Sequence, residues 1–325
     1  MRKISFRTAL SVVAAAAILV LAAHPALAQS DTGGQCSLAV VSRLAGSDQN
    51  VCDGKAVKEL AEKGHVFEQN QLGIASILAI GPDYTDKEAL KWFERAAQKG
   101  YAPAQVNLAV MYANGWATQT NYGAAMHWLL TAADQHFARA YTNLGILYLK
   151  GEGVRQDYAE AFRWFQKGAE ANDSDAQTNL AYMYANGLGC VQNATTSASW
   201  YRKAANSGNP LAENNLADMI LRGEGASQNV PEAFRLFQKA AEHGHTGARI
   251  MLAHMYAEGV GTPKDPEAAY TWLTAASLVG DQRGKELIPS LEAKLNPLQI
   301  ATARQRASQL SSDRGQQLTA KALAQ

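Results

Sequence analysis

Between Ala140 and Tyr148, apolar or small residues fall at Ala140, Leu144, Leu147 and Tyr148. That i, i+4, i+7, i+8 spacing marks one face of a helix. The face ends at Gly151, with Gly153 two residues on, and glycine accepts the left-handed backbone that closes a helix. A second apolar face follows through Ala161, Trp164, Phe165, Gly168 and Ala169. It is preceded by Asp157, whose carboxylate can accept from the free N–H groups of a first turn. The stretch from Ala138 to Asn172 therefore predicts two short helices joined by a glycine-marked loop.

The same pattern recurs along the chain. Trp92, Trp128, Trp164, Trp200, Leu236 and Trp272 follow one another at 36 residues. So do Ala104, Ala140, Ala176, Ala212 and Ala248, the tyrosines Tyr112, Tyr148 and Tyr184 with Ile220 and Tyr256, and Gly115, Gly151, Gly187, Gly223 and Gly259. Columns in a common register at this period define a repeat array. A capping column, Thr85, Asn121, Asp157, Asn193, Asn229 and Asp265, opens each second helix. Glu88, Glu160 and Glu232 stand at capping-box distance from Thr85, Asp157 and Asn229. Pro231 and Pro266 occupy first turns, where proline is tolerated. A hairpin this small buries its apolar stripe only against its neighbours. The expected fold is all-α: a right-handed α/α superhelical solenoid with a concave face and capping helices at both ends.

The strings AQTNLAYMYANGLG (Ala176 to Gly189) and DYAEAFRWFQKGAE (Asp157 to Glu170) resemble Sel-like repeats, a branch of the tetratricopeptide-type helical repeats. The resemblance covers Gly64 to Gly280, about two thirds of the chain. It implies a solenoid that binds a protein or peptide partner, and it implies no reaction. In tetratricopeptide domains the first helices line the concave groove.

The ends read differently. Arg2, Lys3 and Arg7, the apolar run Ala9 to Ala23 and the Ala26-Leu27-Ala28 motif form a secretory signal peptide over 1–28, cleaved after Ala28. The remainder has no stretch apolar enough to span a membrane, so the expected product is periplasmic or secreted. Without the signal, 27 Lys+Arg face 29 Asp+Glu, a net charge of −2, which offers no electrostatic footprint for nucleic acid. Residues 29–64 form an N-terminal helical cap, 65–280 the array of about six repeats, and 281–325 the capping helices and a polar, frayed tail. Within the cap, Cys36 and Cys52 flank the segment that precedes Lys55 to Gly64. In an oxidising compartment they are expected to form a disulfide, contributing roughly 3 kcal/mol. Pro289 is expected to kink or delay a helix between Lys285 and Leu295, and Asn296-Pro297 to open a closing helix as far as Leu310.

Little in the chain points to catalysis. The recurring G-x-G pairs travel with the repeat and read as turns, not phosphate cradles. Cys190 sits in a small-residue loop column, and His243, His245 and His254 lack a further ligand for zinc. The reading is non-enzymatic, with no cofactor and no metal. The alternative, a cell-wall-active or β-lactam-hydrolysing enzyme, finds no serine–lysine pair at catalytic spacing. The tryptophan column reads as core.

One column is harder to place in a core. Asn107, Asn143, Asn179 and Asn215 precede the core leucine of four consecutive first helices, although asparagine is a poor helix-interior residue. By the resemblance they face the groove, where such amides bond a bound peptide. Alternatively they bond a neighbouring unit and hold the stack. Val110, Ile146, Tyr182, Asp218 and His254 complete the expected partner-binding lining. The inferred role is an interaction scaffold of a bacterial cell envelope, serving signalling, polysaccharide export or cell-wall enzymes.

Overall fold

The structure is a computed structural model that describes residues 54–77, 85–281, 283 and 285–324. The signal peptide, Cys36 and Cys52 lie outside the described residues. Among the described residues there are fifteen helices and no strand. They fall into two compact units divided between Asp157 and Tyr158.

The first unit holds α1 (Gly54–Glu62), α2 (Val66–Ile77), α3 (Asp86–Gln98), α4 (Ala102–Asn114), α5 (Tyr122–Asp134) and α6 (Ala138–Lys150). The second holds α7 (Tyr158–Glu170), α8 (Ser174–Asn186), α9 (Ala194–Asn206), α10 (Pro210–Arg222), α11 (Val230–Glu242), α12 (Thr246–Glu258) and α13 (Pro266–Leu278). It ends with α14 (Ile288–Glu292) and α15 (Pro297–Ala324). Within each unit consecutive helices as far as α14 pack against one another, and α15 packs on α13.

The caps work as their residue types require. Thr85, Asn121, Asn193, Asn229 and Asp265 each accept a hydrogen bond from the backbone N–H three residues on. At the other end of the first helices, Gly115, Gly151, Gly187, Gly223 and Gly259 are left-handed, with φ between 66° and 74°. The second glycine of each pair does something different. A Cβ on Gly189 would lie 2.1 Å from the Tyr158 carbonyl oxygen, and one on Gly225 would lie 2.1 Å from that of Ala194. These glycines let the loop after a first helix press on the opening turn of the preceding second helix. That is why the G-x-G pairs recur at the repeat period.

The core consists of small residues backed by one large column. Ala104, Ala140, Ala176, Ala212 and Ala248 are fully buried, as are Leu108, Leu144, Leu216 and Leu252. On the second helices the buried large column is Phe93, Leu129, Phe165, Tyr201, Phe237 and Leu273, one residue past the tryptophans. Of the indole column only Trp92 is buried, while Trp128, Trp164, Trp200 and Trp272 are half-buried. The core reading of the tryptophans thus holds for Trp92 and for one side of the others. Adjacent helix positions point about 100° apart, and beside each tryptophan the smaller neighbouring side chain takes the interior. The indoles border it, with a cation over the exposed face: Arg95 lies over Trp92, Lys167 over Trp164 and Lys203 over Trp200.

A second column fastens each first helix to the helix before it. Gln69, Gln105, Tyr141 and Gln177 donate to the carbonyls of Ala61, Ala97, Ala133 and Ala169, each eight residues back. Arg249 does the same through Nε to Ala241, 3.1 Å away. It is fully buried and also donates to the carbonyls of Ala275 and Leu310, which ties α12 and α13 to α15. In the same column Glu213 has a carboxylate, which cannot donate when ionised; it is buried and meets His243 Nδ1 at 2.8 Å.

The C-terminal end closes on α15. Ala303 and Ala307 are fully buried, and Arg304 bonds both the Tyr270 hydroxyl and the Glu292 carboxylate. Pro289 lies in the first turn of α14, so that helix starts late. The closing helix does not stop near Leu310 but continues to Ala324. Propensity favours the latter part of that continuation, Gln316 to Ala324, and not Ser311 to Gly315.

Candidate functional site

The positions expected to line the groove behave differently in the two units. In the first unit Asn107 and Asn143 on α4 and α6 are fully buried, and so are Val110 and Ile146, at 0% and 2% exposure. Asn107 donates through its amide to Asn70 Oδ1 on α2, 2.9 Å away. These four side chains are interior groups of the first unit and present no open surface.

In the second unit the same columns stay half-open. Asn179 and Tyr182 on α8, Asn215 and Asp218 on α10, and His254 on α12 are all partly exposed. The two asparagines are engaged locally. Asn179 donates to the Asp175 carbonyl one turn back, at 3.0 Å. Asn215 bonds the buried Tyr201 hydroxyl and accepts from Asn214 at 3.2 Å. Asn179 thus bonds within its own helix, and Asn215 bonds the second helix that precedes it.

The third residue of the motif is what the face offers. Tyr182, Asp218 and His254 follow one another at the repeat period, with Asn186 exposed beside Tyr182. Burial pushes the Tyr182 phenol above its ordinary pKa, with Tyr158 adding to the shift, so it stays a neutral donor and acceptor. Burial also holds the His254 imidazole below its ordinary value, with Glu258 opposing. Asp218 pairs with Arg222 on its own helix. The result is a hydrogen-bonding strip of phenol, carboxylate and mostly neutral imidazole, with Thr178 and Ile250 buried one turn before Tyr182 and His254.

The remaining candidates have structural work. His243 holds Glu213, and His245 Nδ1 accepts from the Ala248 N–H at 3.1 Å as the cap of α12. The Cys190 thiol contacts the Met183 carbonyl at 3.6 Å, and burial pushes its pKa up, away from thiolate chemistry. Among the described residues no three His, Cys, Asp or Glu side chains converge as metal ligands. No helix there is long and apolar enough to cross a membrane. Two columns escaped the sequence reading: Gln69 to Arg249, and the lysines at 167, 203 and 239. The 36-residue register would have exposed both.

The hairpins match known proteins. The crystal structure of a Sel1 repeat protein from Oxalobacter formigenes is similar, with 26% identity and a TM-score of 0.63, covering 70% of this chain and 100% of that one. A protective antigen with an SLR fold, present in uropathogenic Escherichia coli strains, is 26% identical at a TM-score of 0.44, over 83% of this chain and 65% of that chain. A sel1 repeat protein from Klebsiella pneumoniae is 20% identical at a TM-score of 0.43, over 62% of this chain and 99% of that chain. No curated protein matches the chain. The family model for the Sel1 repeat matches residues 76–101, 102–137, 138–173, 174–209, 210–245 and 247–281. With six matches at the repeat period, four of them (102–137, 174–209, 210–245 and 247–281) spanning a helical hairpin of the kind described above, the chain belongs to the Sel1 repeat family.

Proposed function

We propose that this protein is an exported, non-catalytic scaffold that holds a segment of a protein partner on the first-helix face of its second unit. Sel1 repeat proteins generally act in protein–protein interaction on a non-catalytic fold. The observation that carries the finer reading is the half-open row Tyr182, Asp218 and His254, set against the closed positions Val110 and Ile146 of the first unit. Groups at one-repeat intervals suit an extended or helical segment that offers polar groups in succession. Export rests on the sequence signal at 1–28, and the setting that follows is the periplasm or the exterior. There the scaffold serves envelope signalling, polysaccharide export or the placement of cell-wall enzymes.

Site-specific photocrosslinking in cells tests this reading. A crosslinker replacing Tyr182 or His254 is expected to trap one defined partner, whereas one at the exposed Leu130 of the first unit traps none. The purified partner should then bind the protein at least tenfold more weakly after Asp218→Ala and Tyr182→Ala together. Equal binding by that variant refutes the site. Hydrolysis of a chromogenic β-lactam by the purified protein would refute the non-catalytic assignment.

A further inference from the structure

The repeat register lets the outward faces of the second helices be compared place by place. On α5 that face is Gly123, Met126, His127, Leu130 and Asp134. At 100° per residue all five fall within about 60° of one direction. Met126 is half-buried and the other four are exposed, Leu130 at 41%. At the matching places α3 has Lys87 and Lys91, α7 has Arg163, α9 has Arg202 and α11 has Arg235. From α3 to α13, only α5 and α13 lack a lysine or arginine there. On α13 the reason is visible, because α15 packs on that helix. Arg306 pairs with Glu267, Arg304 bonds the Tyr270 hydroxyl, and the Thr274 hydroxyl is buried. On α5 the same kind of face stays open.

Gly123 has no evident task within its own chain. Its backbone is not left-handed, and an added Cβ would meet only the Asn121 side-chain oxygen, at 3.4 Å. Glycine is also the poorest helix former after proline. What a bare backbone on an exposed helix face does permit is close approach from outside. Leu130 lies seven residues on, about 10.5 Å along the axis and about 20° round it. The face thus carries a hole and a knob two turns apart. An antiparallel copy of the same helix, related by a twofold axis, sets each leucine over the other's glycine, and Met126 and His127 cross at the centre. The one carboxylate of the face fits that arrangement too. Asp134 is unfavourable at its own helix C-terminus, but it comes to the opening turn of the other α5, where free N–H groups favour negative charge. A parallel pair would set leucine on leucine and glycine on glycine.

We infer that α5 is a self-association face, and that its occupant is α5 of a second copy of this chain, antiparallel about a twofold axis. A twofold contact uses one patch on both copies and must be self-complementary. Here the knob, the hole and the carboxylate each find a counterpart in a single register. Two 13-residue helices make a small interface, so the dimer is weak and depends on concentration. The face lies wholly in the first unit, apart from the Tyr182–Asp218–His254 strip of the second.

Sedimentation velocity of the purified protein, from about 1 to about 100 µM, tests this. The weight-average sedimentation coefficient is expected to rise from monomer to dimer, with a midpoint on the order of 10 µM. Leu130→Glu should move that midpoint up on the order of tenfold or more. Gly123→Leu should do the same by filling the hole, with no loss of melting temperature at the dilute end. Joining Gly123→Leu to Leu130→Ala exchanges knob and hole and should restore association. Tyr182→Ala should leave the midpoint unchanged, so this face and the partner strip fail separately. In cells, the crosslinker at Leu130 that traps no other protein should give a product of twice the chain's mass. A chain that stays monomeric throughout overturns the proposal. So does a dimer that tolerates either single substitution, a failure of the exchanged pair to recover, or a different protein trapped at Leu130.

Discussion

Gly225 tests the claim that the second glycine of each pair exists for close approach and the first for backbone conformation. Both Gly223 and Gly225 are left-handed, at φ +72° and +71°. An added Cβ at Gly223 meets only the Gln228 Cβ at 3.4 Å, an ordinary contact. At Gly225 it meets the Ala194 carbonyl oxygen at 2.1 Å and carbon at 2.4 Å, and the Thr195 nitrogen at 2.9 Å. Those are backbone atoms in the first turn of α9, so a side-chain rotation cannot relieve them. The left-handed conformation costs a non-glycine residue roughly 1–2 kcal/mol, and the stiffer unfolded chain returns about 0.4–1 kcal/mol. Gly223→Ala should therefore destabilise by about 1 kcal/mol. Gly225→Ala adds an overpacking penalty of roughly 1–3 kcal/mol, for a total of about 2–4 kcal/mol. Stability in a tandem array is close to a sum over neighbours, so unfolding need not be two-state. Urea midpoints should be read beside hydrogen exchange in α9 and α10, where protection should fall. Equal losses for the two variants, or a larger one for Gly223→Ala, would refute the reasoning. Ala117 is a natural control: it takes the place of the second glycine after Gly115, at φ 59°.

Further expectations concern the other fastening groups. Arg249→Met removes donors to three backbone carbonyls and should destabilise by about 2–4 kcal/mol, with lost exchange protection in α15; Arg249→Gln, which keeps only the bond to Ala241, should fall between. Glu213→Gln restores a donor of the kind Gln105 and Gln177 supply, so its melting temperature should match or exceed that of the parent protein. Glu213→Ala should destabilise by about 1–3 kcal/mol, and equal losses for the two Glu213 variants would contradict the column assignment. Burial holds His254 below the ordinary imidazole value of 6.5 in the folded chain, so the unfolded chain takes up the proton first as pH falls through that value. Its contribution to stability is complete above pH 6.5 and is lost on acidification through the folded pKa. His254→Gln should accordingly flatten the acid side of a urea-midpoint profile.

The parts of the fold that depend on spacing were legible before any coordinates. Capping residues, closing glycines and the alanine columns each act within one turn or one hairpin, and their register states their role. The tryptophans were half-legible. Residues 92 and 93, or 164 and 165, are neighbours on one helix, and periodicity does not say which faces inward. The asparagine column was ambiguous for another reason: whether an amide meets a ligand, a neighbour or its own helix depends on which partner lies within 3 Å. Asn107 finds Asn70, Asn179 its own Asp175 carbonyl, and Asn215 the Tyr201 hydroxyl. His243 and His245 lie two residues apart, yet one clasps a buried carboxylate and the other caps a helix. Nothing in their spacing separates those tasks.

What the sequence determined by itself was the unit and its count, because a 36-residue pattern of small, aromatic and turn-forming residues has one economical solution: hairpins that bury their stripes on one another. What the tertiary structure decided was exposure. The same columns are closed on α4 and α6 and half-open on α8, α10 and α12, and of the tryptophan column only Trp92 is buried. Burial and pairing depend on what lies across a gap in space, and a period along the chain carries no information about that.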